Sequence, residues 1–401
     1  MLFHRQHRAE ILEKMKIFIS YAIEDLALVE PYYARLRAEG FDPWMVDKNL
    51  LPSQNRQVEI EKAFAGANVI MLFISSRGVD KSGLMRHEAS HTINNLDALL
   101  ATDCFVIPVF LEPCIVPLRL STRLRQGCIQ TQEDWMAMIC SLRLAQAKQK
   151  ELTEHGTRLG PFRVFTAKTK EAWTGRPGHD IEISYPRFES DSHPVAAMEL
   201  TTLFSGRAIY EIFRTRQKPW RQMPGPDEGK KFWPSDARWD NFSIAHASSS
   251  LLSLVYTIGT YSAGGAQPNC SHETHNFLID AERVIAITLP DLFAEDAPWL
   301  ERLSLLCVAG LKRELWERQG KEVSTIERQW IERGADARIE NFAAFTLSAG
   351  HISFLFAPFQ VAAYELGSLR VDIPYYELRD LLRINTVFDG GRLESTTALT
   401  C

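Results

Sequence analysis

The sequence predicts a doubly wound, parallel α/β sheet at the N-terminal end, followed by a separate α+β domain. Two observations carry that expectation. The segments KIFISY (from Lys16), VIMLFIS (from Val69) and CFVIPVFL (from Cys104) are apolar without alternation and are separated by amphipathic stretches, as strands are when helices cover both faces of a sheet. Further on the pattern changes to IEISYPRF, FSIAHASSSLLSLVYTIGTYSAGG and HNFLID, which read as extended segments joined by tight turns. A length of 401 residues allows two cores of ordinary size.

In order, the first strand KIFISY leads into a helical stretch over Glu24–Glu39, which Gly40 ends before the short strand FDPWMV. A helix over Val58–Ala65, the strand VIMLFIS, a helix over Gly83–Leu100 and the strand CFVIPVFL follow. A short strand at Gly127–Ile129 and a helix over Glu133–Gln149 complete a sheet of flavodoxin-like size. This places the first domain at 15–148. Residues 149–180 have scattered apolar positions and Gly-Pro punctuation and read as a linker. The second domain is expected over 181–385, with helices at Ala297–Gln319 and Tyr375–Leu382, a mobile loop at Lys218–Pro234 and a tail at 386–401.

Composition narrows the function. With 45 Lys+Arg against 50 Asp+Glu the formal charge is -5, so no basic excess is present to hold a phosphate backbone, and nucleic acid is not an expected partner. The first fifteen residues place charges in every turn, unlike a signal peptide, and no apolar run approaches the roughly 18 to 20 residues of a membrane span. The seven cysteines contain no C-x-x-C pair, which speaks against a disulfide framework or zinc ribbon and for a reducing cytoplasm.

Ligands of doubly wound sheets bind beyond the carboxyl ends of the strands. Those ends are polar here: Ser20 and Tyr21 after strand 1, Trp44 and Asp47 with the loop NLLPSQN after strand 2, Ser75 and Ser76 after strand 3. Glu88 follows in the early turns of the next helix, where a carboxylate can reach the rim. Hydroxyls with one acid and no Gly-rich loop fit the hydroxyls of a sugar or nucleotide better than a phosphate.

KIFISYAIED, FDPWMVDKNLLPSQN and SSRGVDKSGLMRHEASHTI together resemble bacterial Toll/interleukin-1 receptor (TIR) domains. Ser53 stands where the family's loop glycine usually does, and Leu84 where a tryptophan often precedes the glutamate. The resemblance implies an NAD+ nucleosidase: NAD+ is the substrate, no cofactor is needed, Glu88 is the catalytic carboxylate, and Ser20, Tyr21, Trp44, Asp47, Ser75 and Ser76 bind substrate. It also implies self-association through TIR domains, with the loop Asn49–Asn55 of one copy completing the site of another. A non-catalytic TIR adaptor or virulence scaffold is the alternative.

His87-Glu88-Ala89-Ser90-His91 is also a literal H-E-x-x-H, the pattern that sets two imidazoles on one helical face around zinc. A zinc peptidase needs a third ligand, and downstream only Cys104, Glu112 and Cys114 lie near in sequence, in or after a buried strand. No metal is therefore expected.

SYPRF, the Gly264-Gly265 turn, ITLPDLF and FAPFQVAAYELG resemble the extracytoplasmic domain of RsiV-type anti-sigma factors and of some peptidoglycan deacetylases. That resemblance implies a sensor domain binding a protein or glycan. TYSAGGAQPNCSHETHNF, with His272 and His275, reads as its long functional loop. An enzymatic TIR head joined to a sensor has the layout of bacterial antiphage proteins that deplete NAD+.

Overall fold

The computed structural model describes residues 14–52, 54–76, 105–112, 114, 127–128, 131–173, 178–221, 235–279, 283–383, 388–389 and 392–393. They fall into two compact units, one ending at Leu142 and the other beginning at Arg143.

The first unit is built on β1 (Lys16–Ser20), β2 (Asp42–Trp44), β3 (Val69–Ile74), β4 (Phe105–Phe110) and β5 (Gly127–Cys128). All are parallel, in the order β2-β1-β3-β4-β5, which is the flavodoxin-like arrangement expected. Every residue of β3 is buried, which explains why VIMLFI does not alternate: both of its faces are covered. Helix α1 (Leu26–Ala38) follows a 3-10 turn at Ile23–Asp25, and Gly40, with φ at +87°, makes the left-handed turn that returns the chain to β2. Helices α2 (Val46–Asn49), α3 (Arg56–Ala65) and α4 (Gln132–His155) follow. Asn55 caps α3 by accepting from the Val58 amide at 3.2 Å. The helix expected over Gly83–Leu100, with Glu88 and the H-E-x-x-H pattern, lies outside the described residues.

The second unit carries β6 (Thr157–Leu159), β7 (Phe162–Trp173), β8 (Gly178–Glu189), β9 (Ser235–Ala247), β10 (Leu251–Tyr261), β11 (Asn269–Ile279) and β12 (Val284–Ala286). They form one sheet in the order β12-β11-β10-β9-β8-β7-β6. Neighbours are antiparallel except β8 and β9, whose parallel pairing needs the crossover helix α5 (Pro194–Arg221). A second, antiparallel sheet joins β13 (Phe345–Leu347), β14 (His351–Phe356) and β15 (Leu369–Pro374). Helices α6 (Trp299–Gln319) and α7 (Thr325–Gly334) share its core with Leu311, Ile331, Phe342, Phe354 and Phe356. Gly310 lets α6 approach β15 closely, since a Cβ there would stand 2.6 Å from Val371 Cγ1. Buried Ser253 and Asn276 bond one another at 2.6 Å and bond the Leu347 amide and the Phe345 carbonyl at 2.9 and 3.0 Å, stitching the small sheet to the large one.

Three expectations are corrected. Residues 149–180 do not form a linker: α4 runs to His155, and β6, β7 and the start of β8 occupy most of the rest. Only Phe162 and Val164 of β7 point fully into the core, so the Thr, Lys and Glu of its outer half hide the two-residue period; Gly160, with φ at +55°, makes a hairpin turn. TYSAGGAQPNCSHETHNF is not a long loop either. It is the end of β10, a tight turn through Gly264 and the length of β11, so His272 and His275 sit on a strand paired with Thr257 and Leu254. At Tyr375–Leu382 the structure has a 3-10 turn, Tyr375–Glu377, in place of a helix, and Leu382 bridges to Phe293.

Candidate active site

In the order β2-β1-β3-β4-β5 the order of assembly reverses between β1 and β3, and it is beyond the carboxyl ends of the strands at such a point that ligands of open α/β sheets bind. Ser20 and Tyr21 leave one strand there, Ser75 and Ser76 the other. Ser20, Tyr21 and Ser75 are buried, while Ser76 is exposed.

The hydroxyls at this rim are held by acids. Ser75 Oγ donates to Oδ2 of Asp25, a fully buried carboxylate in the 3-10 turn after β1. Ser76 donates from its amide to Glu112 Oε1 at 3.0 Å and from its hydroxyl to the same oxygen. Tyr21 donates its phenol to Asp47 Oδ2, fixing the first turn of α2 over the end of β1. The loop entering α3 begins from that turn, with Asn49 Oδ1 accepting from the Met45 amide at 2.9 Å.

The structure therefore brings together Tyr21 with Asp47, and sets Ser75 and Ser76 against two acids not among the expected site residues. Asp25 could have been found as the acid of F-I-S-Y-x-x-x-D, and Glu112 by extending the strand-end rule to the fourth strand. Trp44 differs from the others. Its ring stacks on Phe18 with centroids 5.3 Å apart and planes 10° apart, so it packs along the sheet. Glu88 lies outside the described residues.

The second unit has its own cluster of titratable groups. Arg207 of α5 forks onto Glu273 at 2.9 and 2.6 Å, reaches Asp240 at 2.9 Å, and lies 3.9 Å over the ring of buried Tyr256. Arg238 holds the other side of Asp240 at 2.7 and 2.9 Å and also bonds Glu211. Burial works against the charge of Glu273, but bonds from Arg207 and His275 outweigh it and hold the carboxyl far below its usual range. Burial, foremost, pushes the Tyr256 phenol up, and the Arg207 charge over its ring offsets part of that. His272, whose Nε2 meets Ser368 Oγ at 2.8 Å, is pushed down to about 4 by burial. Among the described residues no group of three or more His, Cys, Asp or Glu is placed to hold a metal ion, and no described helix is long and apolar enough to cross a membrane.

Comparison with known proteins matches the two units to different families. The TIR domain model matches residues 17–140, and the model of DUF3298, a protein family of unknown function, matches residues 290–376. The chain thus has an N-terminal TIR-like domain and a C-terminal DUF3298 domain. Over 143 residues it is 27% identical to the peptidoglycan-N-acetylmuramic acid deacetylase PdaC of Bacillus subtilis, covering 36% of this chain and 28% of that protein. The chain therefore spans under a third of that relative's length. Among solved structures, a DUF3298 family member from Bacteroides fragilis is 18% identical with a TM-score of 0.40, covering 60% of this chain and all of its own. A DUF3298 family protein from Pseudomonas aeruginosa is 13% identical with a TM-score of 0.37, covering 56% and 95%. The TIR domains of the activated Roq1 resistosome, which directly recognizes the pathogen effector XopQ, are 17% identical with a TM-score of 0.21, covering 35% and 78%.

Proposed function

We propose that the N-terminal domain is an NAD+ glycohydrolase that releases nicotinamide and leaves ADP-ribose or a cyclised product, with Glu88 as its catalytic carboxylate. The observation that carries this reading is the rim of acid-held hydroxyls at the ends of β1 and β3, in a domain matched by the TIR model. Nicotinamide leaves from an already cationic ring, so no strong general acid is needed, and charge develops on the ribose in an oxocarbenium-like transition state. One carboxylate can stabilise that charge and hold the ribose hydroxyls. Ser20, Tyr21, Asp47, Ser75 and Ser76 then shape the ribose side of the site, and Trp44 stiffens its floor through Phe18.

In this reading the second unit binds a protein or glycan trigger, as fits a chain resembling RsiV-type sensors, and clustering brings TIR heads together in a cytoplasmic antiphage response. Tethering can strengthen such an encounter by roughly 10² to 10⁴ without new contacts. The test is nicotinamide release from NAD+ by purified, clustered protein. Glu88→Gln should lower the rate by about 10²-fold or more while leaving the fold intact. A near-normal rate in the folded variant rejects Glu88.

A TIR adaptor is the second reading, and one observation favours it. Ser20, Tyr21 and Ser75, three of the residues expected to meet substrate, are buried in the folded domain. No NAD+ cleavage under any clustering, together with binding to another TIR domain, would decide for it.

A further inference from the structure

Helix α5 has two apolar faces, and the large sheet uses one. Ala196, Ala197, Leu200, Phe204, Ala208 and Ile212 are buried in the core of the second unit. On the opposite face Val195, Met198, Leu203, Ile209, Tyr210 and Phe213 are each 40–63% exposed. A helix that only covers a sheet carries charge on its outer face. Here residues 195, 198, 202, 206, 209 and 213 recur every three or four positions as a seam of Val, Met, Thr, Gly, Ile and Phe, the spacing of a helix that packs against another helix.

Gly206 sits at the middle of this seam. A glycine inside a helix lowers its stability, and nothing among the described residues requires one: a Cβ at 206 would meet no atom within 4 Å. A missing side chain on an open helix face is explained by close approach of a second backbone.

We infer that α5 is a homodimer surface, on which the same helix of a second copy crosses antiparallel at Gly206. About this position the seam matches itself. Eight residues before it stands Met198 and seven after it Phe213; four before it is Thr202 and three after it Ile209. A twofold axis between residues 205 and 206 sets Met198 of one copy against Phe213 of the other and Thr202 against Ile209, with the two Gly206 residues flanking the axis. Arg214 and Arg216 are already paired with Glu211 and Glu171 within the chain, so shape selects the direction: an antiparallel crossing sets Phe213 against the slimmer Met198, where a parallel one would set Phe213 against itself. The exposed parts of the six side chains amount to roughly 600 Å² per copy, on the order of 1,200 Å² in all, the lower range of specific interfaces. This surface belongs to the second unit and stands apart from the chemistry proposed for the TIR domain.

The test is sedimentation velocity on the full chain across a wide concentration range. Wild type should dimerise. Ile209→Glu with Phe213→Glu should weaken the dimer by about 100-fold or more, because carboxylates would replace the apolar groups that meet Thr202 and Met198 of the other copy. Gly206→Leu, on a helix position where a Cβ meets no atom within 4 Å, should weaken the dimer by at least about tenfold without lowering the melting temperature. Leu305→Glu, an equally exposed leucine on α6, should leave it unchanged. With Cys140 replaced by serine, Met198→Cys combined with Phe213→Cys should give a disulfide-linked dimer under a mild thiol oxidant, and Met198→Cys alone should not. A monomer at every concentration overturns the inference. So does a dimer indifferent to all the α5 changes, which would place association elsewhere and leave the NAD+ reading untouched.

Discussion

Asp25 and Asp240 are both fully buried carboxylates, and the chain treats them in opposite ways. Asp240 lies on β9 between two guanidiniums, those of Arg207 and Arg238, inside a unit where Glu211 and Glu273 continue the alternation of charge. Asp25 stands at the carboxyl end of a parallel sheet and accepts a hydrogen bond from the Ser75 hydroxyl. Permanent cations lock an anion in place and leave little for a ligand to gain. Hydroxyls can rotate and exchange partners, so the pairs of Ser75 with Asp25, Ser76 with Glu112 and Tyr21 with Asp47 are held less rigidly than the arginine-locked layer. A layer of charge locked by arginines thus contrasts with a strand-end rim held by neutral donors.

The largest expected effect tests the rigid side. Asp240→Ala leaves Arg207 and Arg238 facing each other in a buried site and should destabilise the second unit by about 3–5 kcal/mol, read from the urea midpoint. A loss below about 1 kcal/mol would mean that both arginines behave as surface ions and that the layer contributes little. At the rim, Ser75→Ala removes a donor to buried Asp25 and should lower the stability of the first unit by about 1–3 kcal/mol. On the proposed function it should also slow nicotinamide release more than Asp240→Ala does when each is assayed in its folded form.

A pH series sharpens the same contrast. His272 is held at about 4 in the folded chain against 6.5 for a free imidazole, so the unfolded chain binds more protons between those values. Stability therefore falls as pH drops from about 6.5 towards about 4, with a slope of at most about 1.4 kcal/mol per pH unit, and His272→Gln should flatten it. Glu171, held down at about 2 chiefly by its bond from Arg216, contributes stability above 4.5 that is lost only as pH falls from there towards 2, so the two groups report in windows that overlap only between about 4 and 4.5. The smallest effect is expected for Tyr21→Phe. Its partner Asp47 is exposed and can turn to water, which limits the loss to about 0.5–1.5 kcal/mol in the melting of the first unit.

Much of the first unit could be read directly. A strand buried on both faces needs an uninterrupted apolar run, and VIMLFI and KIFIS have one, so strand positions, sheet type and the polar strand ends followed from residue types alone. The partners of those ends were less visible. Ser75 meets Asp25 across fifty positions of sequence and Ser76 meets Glu112 across thirty-six, and no local spacing encodes either. In the second unit, β7 was concealed because its outer half places polar side chains on both faces, and β11 because its Asn, Ser, His and Glu resemble a loop until they are paired with β10.

The amino-acid sequence by itself determined the periods of burial, the change of architecture along the chain and the chemistry available at each strand end, since these depend on neighbours within a few residues. The tertiary structure decided which charges neutralise one another and which hydroxyls meet which acids. It also decided which apolar face of α5 remained uncovered. Each of those outcomes depends on strand order and crossover, through which the sheet joins residues far apart in the chain.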